Sequence, residues 1–313
     1  HCLGLVPNAD GGVRRRTGRS YPMRKYSQMV STYRSIYRIW PIVFTIVGIS
    51  VFALHGSAFG QADTTAALLP AWQAYNRSVL IGLDLLNRKY TEFDDFGVTS
   101  DGILDTENGT LKGGSIRGRW QGVPFGETLP AVYLQGEYRQ LTGSTSYQGY
   151  LQSGSTLTPY STTTQNELRD FRVRVGLPIA QTERIQWVPF VEYRYQRWVR
   201  DLVQYRETFQ HHAGIAGLLA QWRASPVWML EGEAGVGSMI HAQIDVPQLG
   251  FSGTLGNRVL WTLGASASYQ IMDHWRAVAS VRHDQYRYDQ SAASNGFIEP
   301  ASSTNQTNTL LGI

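Results

Sequence analysis

"EYRYQRWVRD", Glu192 to Asp201, sets charge and aromatic bulk side by side. At a period of two, Glu192, Arg194, Gln196 and Arg200 share one face of a strand and Tyr193, Tyr195 and Val199 the other, because successive strand side chains point to opposite sides. A soluble sandwich buries its apolar face and wets its charged one. A barrel in a bilayer does the reverse, and the rest of the chain has to decide.

The bulk numbers favour strands. The chain has 313 residues, 12% of them aromatic, with 32 glycines, a composition suited to an all-β fold rich in turns. A net charge of +4 would suit an anionic partner such as nucleic acid, but residues 1–62 hold eight basic residues and one acid. The remaining sequence has 20 basic and 23 acidic residues. Basicity therefore belongs to the leader, which excludes nucleic acid as a partner.

Within that leader, Arg24, Lys25, Arg34 and Arg38 precede the apolar run Ile39–Leu54, which is followed by the small residues of "HGSAFGQAD". Residues 23–62 read as a secretory signal segment cleaved near Gly60 or Ala62, with an uncleaved anchor helix as the competing reading. Residues 1–22 read as an upstream extension, 63–77 as a periplasmic lead-in, and 78–313 as the folded domain. The only cysteine, Cys2, falls in the part expected to be removed. No disulfide, thiolate nucleophile or cysteine-based zinc site is expected in the exported part.

Ten segments alternate with period two: Ser78–Phe93, Thr110–Gly122, Ala131–Leu141, Glu167–Ile179, Trp187–Asp201, His211–Arg223, Trp228–Gln243, Arg258–Ile271, Trp275–Asp289 and Thr307–Ile313. Short connections such as "ASPV" and "MDH" alternate with long ones such as 94–109 and Thr142–Asn166. Tight turns at one end and long loops at the other characterise antiparallel bacterial barrels. Trp187, Trp222, Trp228 and Trp275 sit beside the short turns, as an aromatic girdle at one membrane boundary would. Tyr90, Tyr193, Tyr195 and Tyr288 lie toward the long loops and would supply the opposite girdle.

The leader, the alternating strands "VRVGLPI" and "LEGEAGVG", the turn-side tryptophans and the terminal "NTLLGI" resemble the small outer-membrane β-barrels of Gram-negative bacteria. The resemblance covers roughly Ser78 to Ile313. It implies a closed, up-and-down, antiparallel transmembrane barrel of about ten strands in the bacterial outer membrane. It also implies lipid or lipopolysaccharide and the barrel-assembly machinery as partners. Such barrels usually end in an aromatic residue, whereas this sequence stops at Ile313 with a last strand read as about seven residues, so a few C-terminal residues are expected to be missing.

With the apolar phase toward lipid, the lumen receives Asp84, Arg88, Arg117, Arg119, Glu137, Arg139, Asp170, Arg172, Arg174, Glu192, Arg194, Arg200, Glu231, Glu233, Arg282 and Asp284. Charges of both signs in similar number must pair across strands, because a lone ion there costs several kcal/mol of desolvation. Ten strands leave little bore beyond what side chains fill, so the lumen reads as plugged. The expected role is structural, or ligand-binding and adhesin-like through the long loops.

The alternatives are a narrow channel and a protease of the ten-stranded omptin type. The resemblance to omptins implies rim acids and a histidine that activate water, and His211, His212 and His241 are the weak catalytic candidates. The same three could form a metal site, though without an established ligand spacing. His283 and Asp284 are adjacent in sequence and so face opposite ways, which argues against them as partners. No cofactor is expected.

Overall fold

Ten strands close into a ring in the computed structural model, which describes residues 71–94, 97–123, 131–153, 156–179, 181–202 and 205–313. The leader and most of the lead-in lie outside the described residues. In chain order the strands are β1 (Ser78–Phe93), β2 (Ile103–Gly122), β3 (Val132–Ser153), β4 (Thr156–Gly176), β5 (Ile185–Leu202) and β6 (Tyr205–Arg223). They continue as β7 (Trp228–Val246), β8 (Phe251–Leu255), β9 (Val259–Met272), β10 (Trp275–Tyr288) and β11 (Ser302–Gly312).

Neighbours pair antiparallel in sequence order, and β1 against β11 closes the wall along Gly82↔Gly312 through Glu92↔Ser302. The short β8 is not a separate wall strand: β7 pairs with β9 over Trp228–Ser238 and with β8 over Ala242–Val246, so β8 and β9 share one side of it. Closure leaves no unpaired edge in the ten-stranded wall, which a sheet in lipid requires.

Strand lengths differ from the sequence reading at the end away from the termini, hereafter the far end. Thr142–Asn166, expected as a loop, is paired residue by residue from Thr142↔Glu167 to Ser153↔Thr156, a hairpin rising from the wall. The Ser/Thr/Gln-rich composition suggested a loop, but continuous cross-strand pairing overrides composition here. Likewise β11 has 11 residues rather than seven, long enough to span. Between the segments read as Trp228–Gln243 and Arg258–Ile271, residues 244–257 finish β7 at Val246 and contain a 3-10 turn at Pro247–Leu249 and β8.

The alternation sorts the wall into two faces. Val79, Ile81, Leu83 and Leu85 on β1, Phe171, Val173 and Val175 on β4, and Leu263 on β9 all point out and are exposed. The intervening residues, Asp84 and Arg88 or Asp170, Arg172 and Arg174, point in and are buried. Farther out, the outward positions turn polar, as with Asn87 and Lys89 on β1 and Thr110 and Lys112 on β2.

Candidate functional site in the barrel lumen

Because all inward positions of a strand share one parity, each strand delivers its polar residues at a fixed height, and neighbouring registers stack them into layers. The middle layer is ionic. Glu192 receives Arg174 at 2.8 Å, Arg194 at 3.0 Å and Arg282 at 3.0 Å. Arg174 and Arg282 both reach Glu233, at 2.8 and 3.0 Å, which ties β4 and β10 to β7 across the lumen. Asp284 lies 3.2 Å from Arg194 and 3.8 Å from Arg172, and Arg172 continues to Asp170 and Glu137, which hold Arg139 and Arg117. One connected network therefore spans six wall strands. Phe190 supports it from below, its ring 3.8 Å under the Arg174 guanidinium. The ring fits because the facing position is Gly217, where a Cβ would come within 2.5 Å of the Phe190 ring.

At the end carrying the chain termini, hereafter the near end, a short helix at 71–75 leads into β1 and closes part of the opening. Asn76 donates to Gln121 at 2.6 Å and Gln221 at 3.0 Å and accepts from Gln221 at 3.0 Å, while Gln186 joins Gln121 and Gln221 at 3.0 and 2.8 Å. These four buried amides form a ring under the ionic layer. Gln221 also donates to Glu231, whose carboxylate takes a two-pronged contact from Arg119 at 2.7 and 2.8 Å. Burial, with Glu231 nearby, holds the Tyr75 phenol well above its ordinary range. Asn76→Ala should leave two glutamines short of partners and cost about 1–3 kcal/mol in urea unfolding from lipid vesicles. A loss near zero would mean that water already fills the ring. Beside it, a cavity of about 800 Å³ opens toward the near end, lined in part by Arg77, Arg119, Glu231 and Arg276.

Beyond the ionic layer the lumen changes character. Leu86, Leu111, Leu141 and Leu168 form an apolar layer on the β1–β4 side. Opposite, Arg88 stacks 3.8 Å over Trp198 and donates to Gln306 and Tyr286. Farther out, Arg200 is surrounded by Glu92 at 3.1 Å, Glu107 at 3.2 Å and Glu207 at 2.5 Å. Asp105 and Glu299 are buried with them. Tyr90, Trp198, Phe209 and Tyr288 pack around this group, and Phe251 and Leu255 from β8 extend the apolar cluster over the far end.

Charge is thus buried within, paired through the middle layer, while aliphatic side chains cover the outside and the ten-stranded wall has no open edge. In water this arrangement would expose the apolar surface; in a bilayer the apolar wall meets acyl chains and the wall's backbone groups pair strand to strand.

The chain is a transmembrane β-barrel of the outer-membrane type.

No family model matches the sequence, and no curated protein matches it. Among solved structures, the barrel is similar to the outer membrane protease OmpT from Escherichia coli, at 11% identity over 76% of this chain and 96% of that one, with a TM-score of 0.48. The translocator domain of the autotransporter NalP from Neisseria meningitidis is similar at 12% identity over 83% and 97%, TM-score 0.38. The attachment invasion locus protein Ail of Yersinia pestis is similar at 10% identity over 75% and 97%, TM-score 0.27.

The barrel places the candidate residues as follows. Arg117, Arg119, Glu137, Arg139, Asp170, Arg172, Arg174, Glu192, Arg194, Glu231, Glu233, Arg282 and Asp284 all line the lumen and all enter ion pairs. Trp187, Trp222, Trp228 and Trp275 stand on the outer surface beside the near-end turns, each 40% or more exposed.

Tyr90 and Tyr288 depart from the expected far-end girdle. Both are buried inside, because they continue the inward parity of Asp84–Arg88 and of Arg282–Asp284. Two of the three histidines meet, His212 and His241 being cross-strand partners with ring centroids 6.2 Å apart, but His211 does not join them. His211 points inward, with Nδ1 2.7 Å from the Tyr288 hydroxyl, whereas His212 and His241 face outward, His212 2.6 Å from the Tyr193 hydroxyl. Among the described residues no group of three acids, histidines or cysteines is set to hold a metal.

Sequence reasoning missed Trp198 and the carboxylates around Arg200. Trp198 shares the parity of Arg194 and Arg200, a signal present in the opening segment. Asp105 and Glu107 were hidden in a stretch read as loop.

Proposed function

We propose that this protein is a sealed outer-membrane barrel that presents its β3–β4 hairpin to a ligand outside the cell. The observation that carries the reading is the ion-pair network joining opposite walls of the lumen, with Glu192 bound to three guanidiniums at once. A conducting pore needs charges that face water, and these face one another. The amide ring below and the aromatic cluster above add to the obstruction.

The hairpin supports the ligand-binding half of the reading. β3 leaves its last β2 partner at Gln148 and runs on with β4 alone through Gly149–Ser153, roughly 16 Å along the strand at about 3.3 Å per residue. The hairpin's outward positions include Ser144, Ser161, Thr163 and Gln165, with Tyr150 and Tyr160 near the tip, a neutral hydrogen-bonding surface suited to polar ligands such as glycans. The apolar belt would sit among outer-leaflet lipids, lipopolysaccharide included, after insertion by the barrel-assembly machinery. An omptin-like protease is less well supported, since His211 is walled in by Tyr286 and Tyr288 and the other two histidines face the opposite way.

Two measurements test the proposal. In planar bilayers the purified barrel should give no conductance steps in charged or neutral solutes, and steady single-channel steps would favour a pore. Replacing residues 149–160 by an Asn-Gly turn keeps Ser146–Gln148 paired with β2 and should leave the barrel folded while abolishing glycan or matrix binding. Undiminished binding would move the ligand site elsewhere.

A further inference from the structure

The group around Arg200 does not balance. Glu92, Asp105, Glu107, Glu207 and Glu299 are each no more than 3% exposed, and among the described residues Arg200 is the one guanidinium whose ion pairs reach into the group. Five ionised carboxylates around one cation at this burial would be strongly self-repelling. The positive charge required has to come from somewhere.

Hydrogen-bond counting says where. The Tyr90 hydroxyl lies 2.9 Å from Glu92 Oε1 and 3.2 Å from Glu299 Oε1. A tyrosine hydroxyl has one hydrogen, so it donates to one carboxylate and can accept through its oxygen from the other only if that carboxyl carries a proton. Glu92 is ion-paired with Arg200 at 3.1 Å and so holds its charge, whereas among the described residues no ion pair joins Glu299, which leaves Glu299 as the donor. Asp105 gives a second sign: its carboxyl is buried beside that of Glu92, with no cation among the described residues donating to either of its oxygens.

Glu299 also differs from the others in its attachment. It lies on the segment joining β10 to β11, which folds over the far end of the lumen. Ser291 and Glu299 tie the base of this segment, N–H to O at 2.9 Å one way and N–H to Oγ at 2.9 Å the other. An Asn295–Gly296 turn, with φ of 51° and 80°, caps it between Ser294 and Phe297. Phe297 packs edge-on against Phe251 with centroids 6.3 Å apart. The segment is thus a lid, and Glu299 is its buried polar anchor.

We propose that Glu299 is a proton-binding site that latches this lid over the lumen, and that the lid is released as the proton is lost. Facing Glu299 are Tyr90 and Glu92 from β1, Asp105 and Glu107 from β2, Arg200 from β5, Glu207 from β6 and Tyr288 from β10. Burial, followed by the charges of Glu92 and Glu207, pushes the Glu299 carboxyl well above its ordinary range, with Arg200 opposing. The direction follows: a group whose value is raised in the closed state stabilises closure fully below its open-state value of about 4.3, and that contribution disappears as pH rises through the raised value.

A nitroxide on Ala293→Cys, in a full-length Cys2→Ser background refolded in lipid, reports lid mobility. The label is expected to be immobilised in acid and to become mobile as the pH rises through the raised range of the buried carboxyl. Glu299→Gln, which keeps a hydrogen for Tyr90, should stay immobilised throughout. Should that variant fail to fold, Glu92→Gln removes the adjacent like charge and should move the transition to lower pH. Mobility that is independent of pH in the parent chain, or an unchanged transition in either variant, overturns the latch. So does a transition abolished by calcium and restored by a chelator, which would make the missing charge a metal ion. A conducting parent protein would count against the sealed lumen and not against the latch.

Discussion

Replacing Glu192 with glutamine should destabilise the barrel by about 3–5 kcal/mol, among the largest effects available to a single substitution in it. Among the described residues Glu192 is the only carboxylate that meets Arg174, Arg194 and Arg282 together. Without its charge, Arg174 keeps Glu233, Arg282 keeps Glu233 and Asp284, and Arg194 keeps only Asp284 at 3.2 Å. Arg194 is 0% exposed, so the uncompensated guanidinium cannot turn to water. Urea unfolding from lipid vesicles, followed by tryptophan fluorescence, measures the loss. A loss under about 1 kcal/mol would mean that the lumen is wet enough to screen its charges, which undermines the sealed reading. Converting Arg194 and Glu192 together to methionine and leucine should cost less than Glu192→Gln alone, since removing both partners of a buried pair avoids stranding one of them.

How much of this was legible in the sequence depends on which physical rule governed each position. Parity decided the lumen: once Tyr193 and Tyr195 are assigned to lipid, Glu192, Arg194 and Arg200 can only face in, and the same step places Arg172 beside Arg194 through their cross-strand register. Parity applied consistently would also have placed Tyr90 and Tyr288. They were assigned outward because aromatic residues near a boundary suggest a girdle, a compositional cue that the fixed alternation of a strand overrides.

The hairpin from Thr142 to Asn166 was unreadable for another reason. Above the lipid neither face of a strand is apolar, so the alternation that identifies a strand disappears even though the pairing continues. Asp105 and Glu107 were lost in the same way, at the top of β2. The Glu299 lid could not be foreseen at all, since no local pattern states that a connection will fold back into the mouth it connects.

Leu83→Arg tests the other half of the inside-out arrangement, and its outcome separates a lipid-facing belt from an ordinary exposed surface. Leu83 is 76% exposed, stands between Ile81 and Leu85 on the outward row of β1, and is flanked in register by Gly114 and Leu311. On a water-facing surface such a substitution falls within about half a kcal/mol of neutral. At the middle of a bilayer the guanidinium must carry water inward or stretch to the headgroups, and the cost rises to about 2–4 kcal/mol. Ser144→Arg, also outward but on the far-end hairpin, should cost no more than about 1 kcal/mol in the same vesicles. The contrast is the informative quantity, because any general effect of added charge cancels between the two variants. Equal and small effects at both positions would mean that Leu83 does not face acyl chains, and the burial of so many ions behind it would then lack a physical reason.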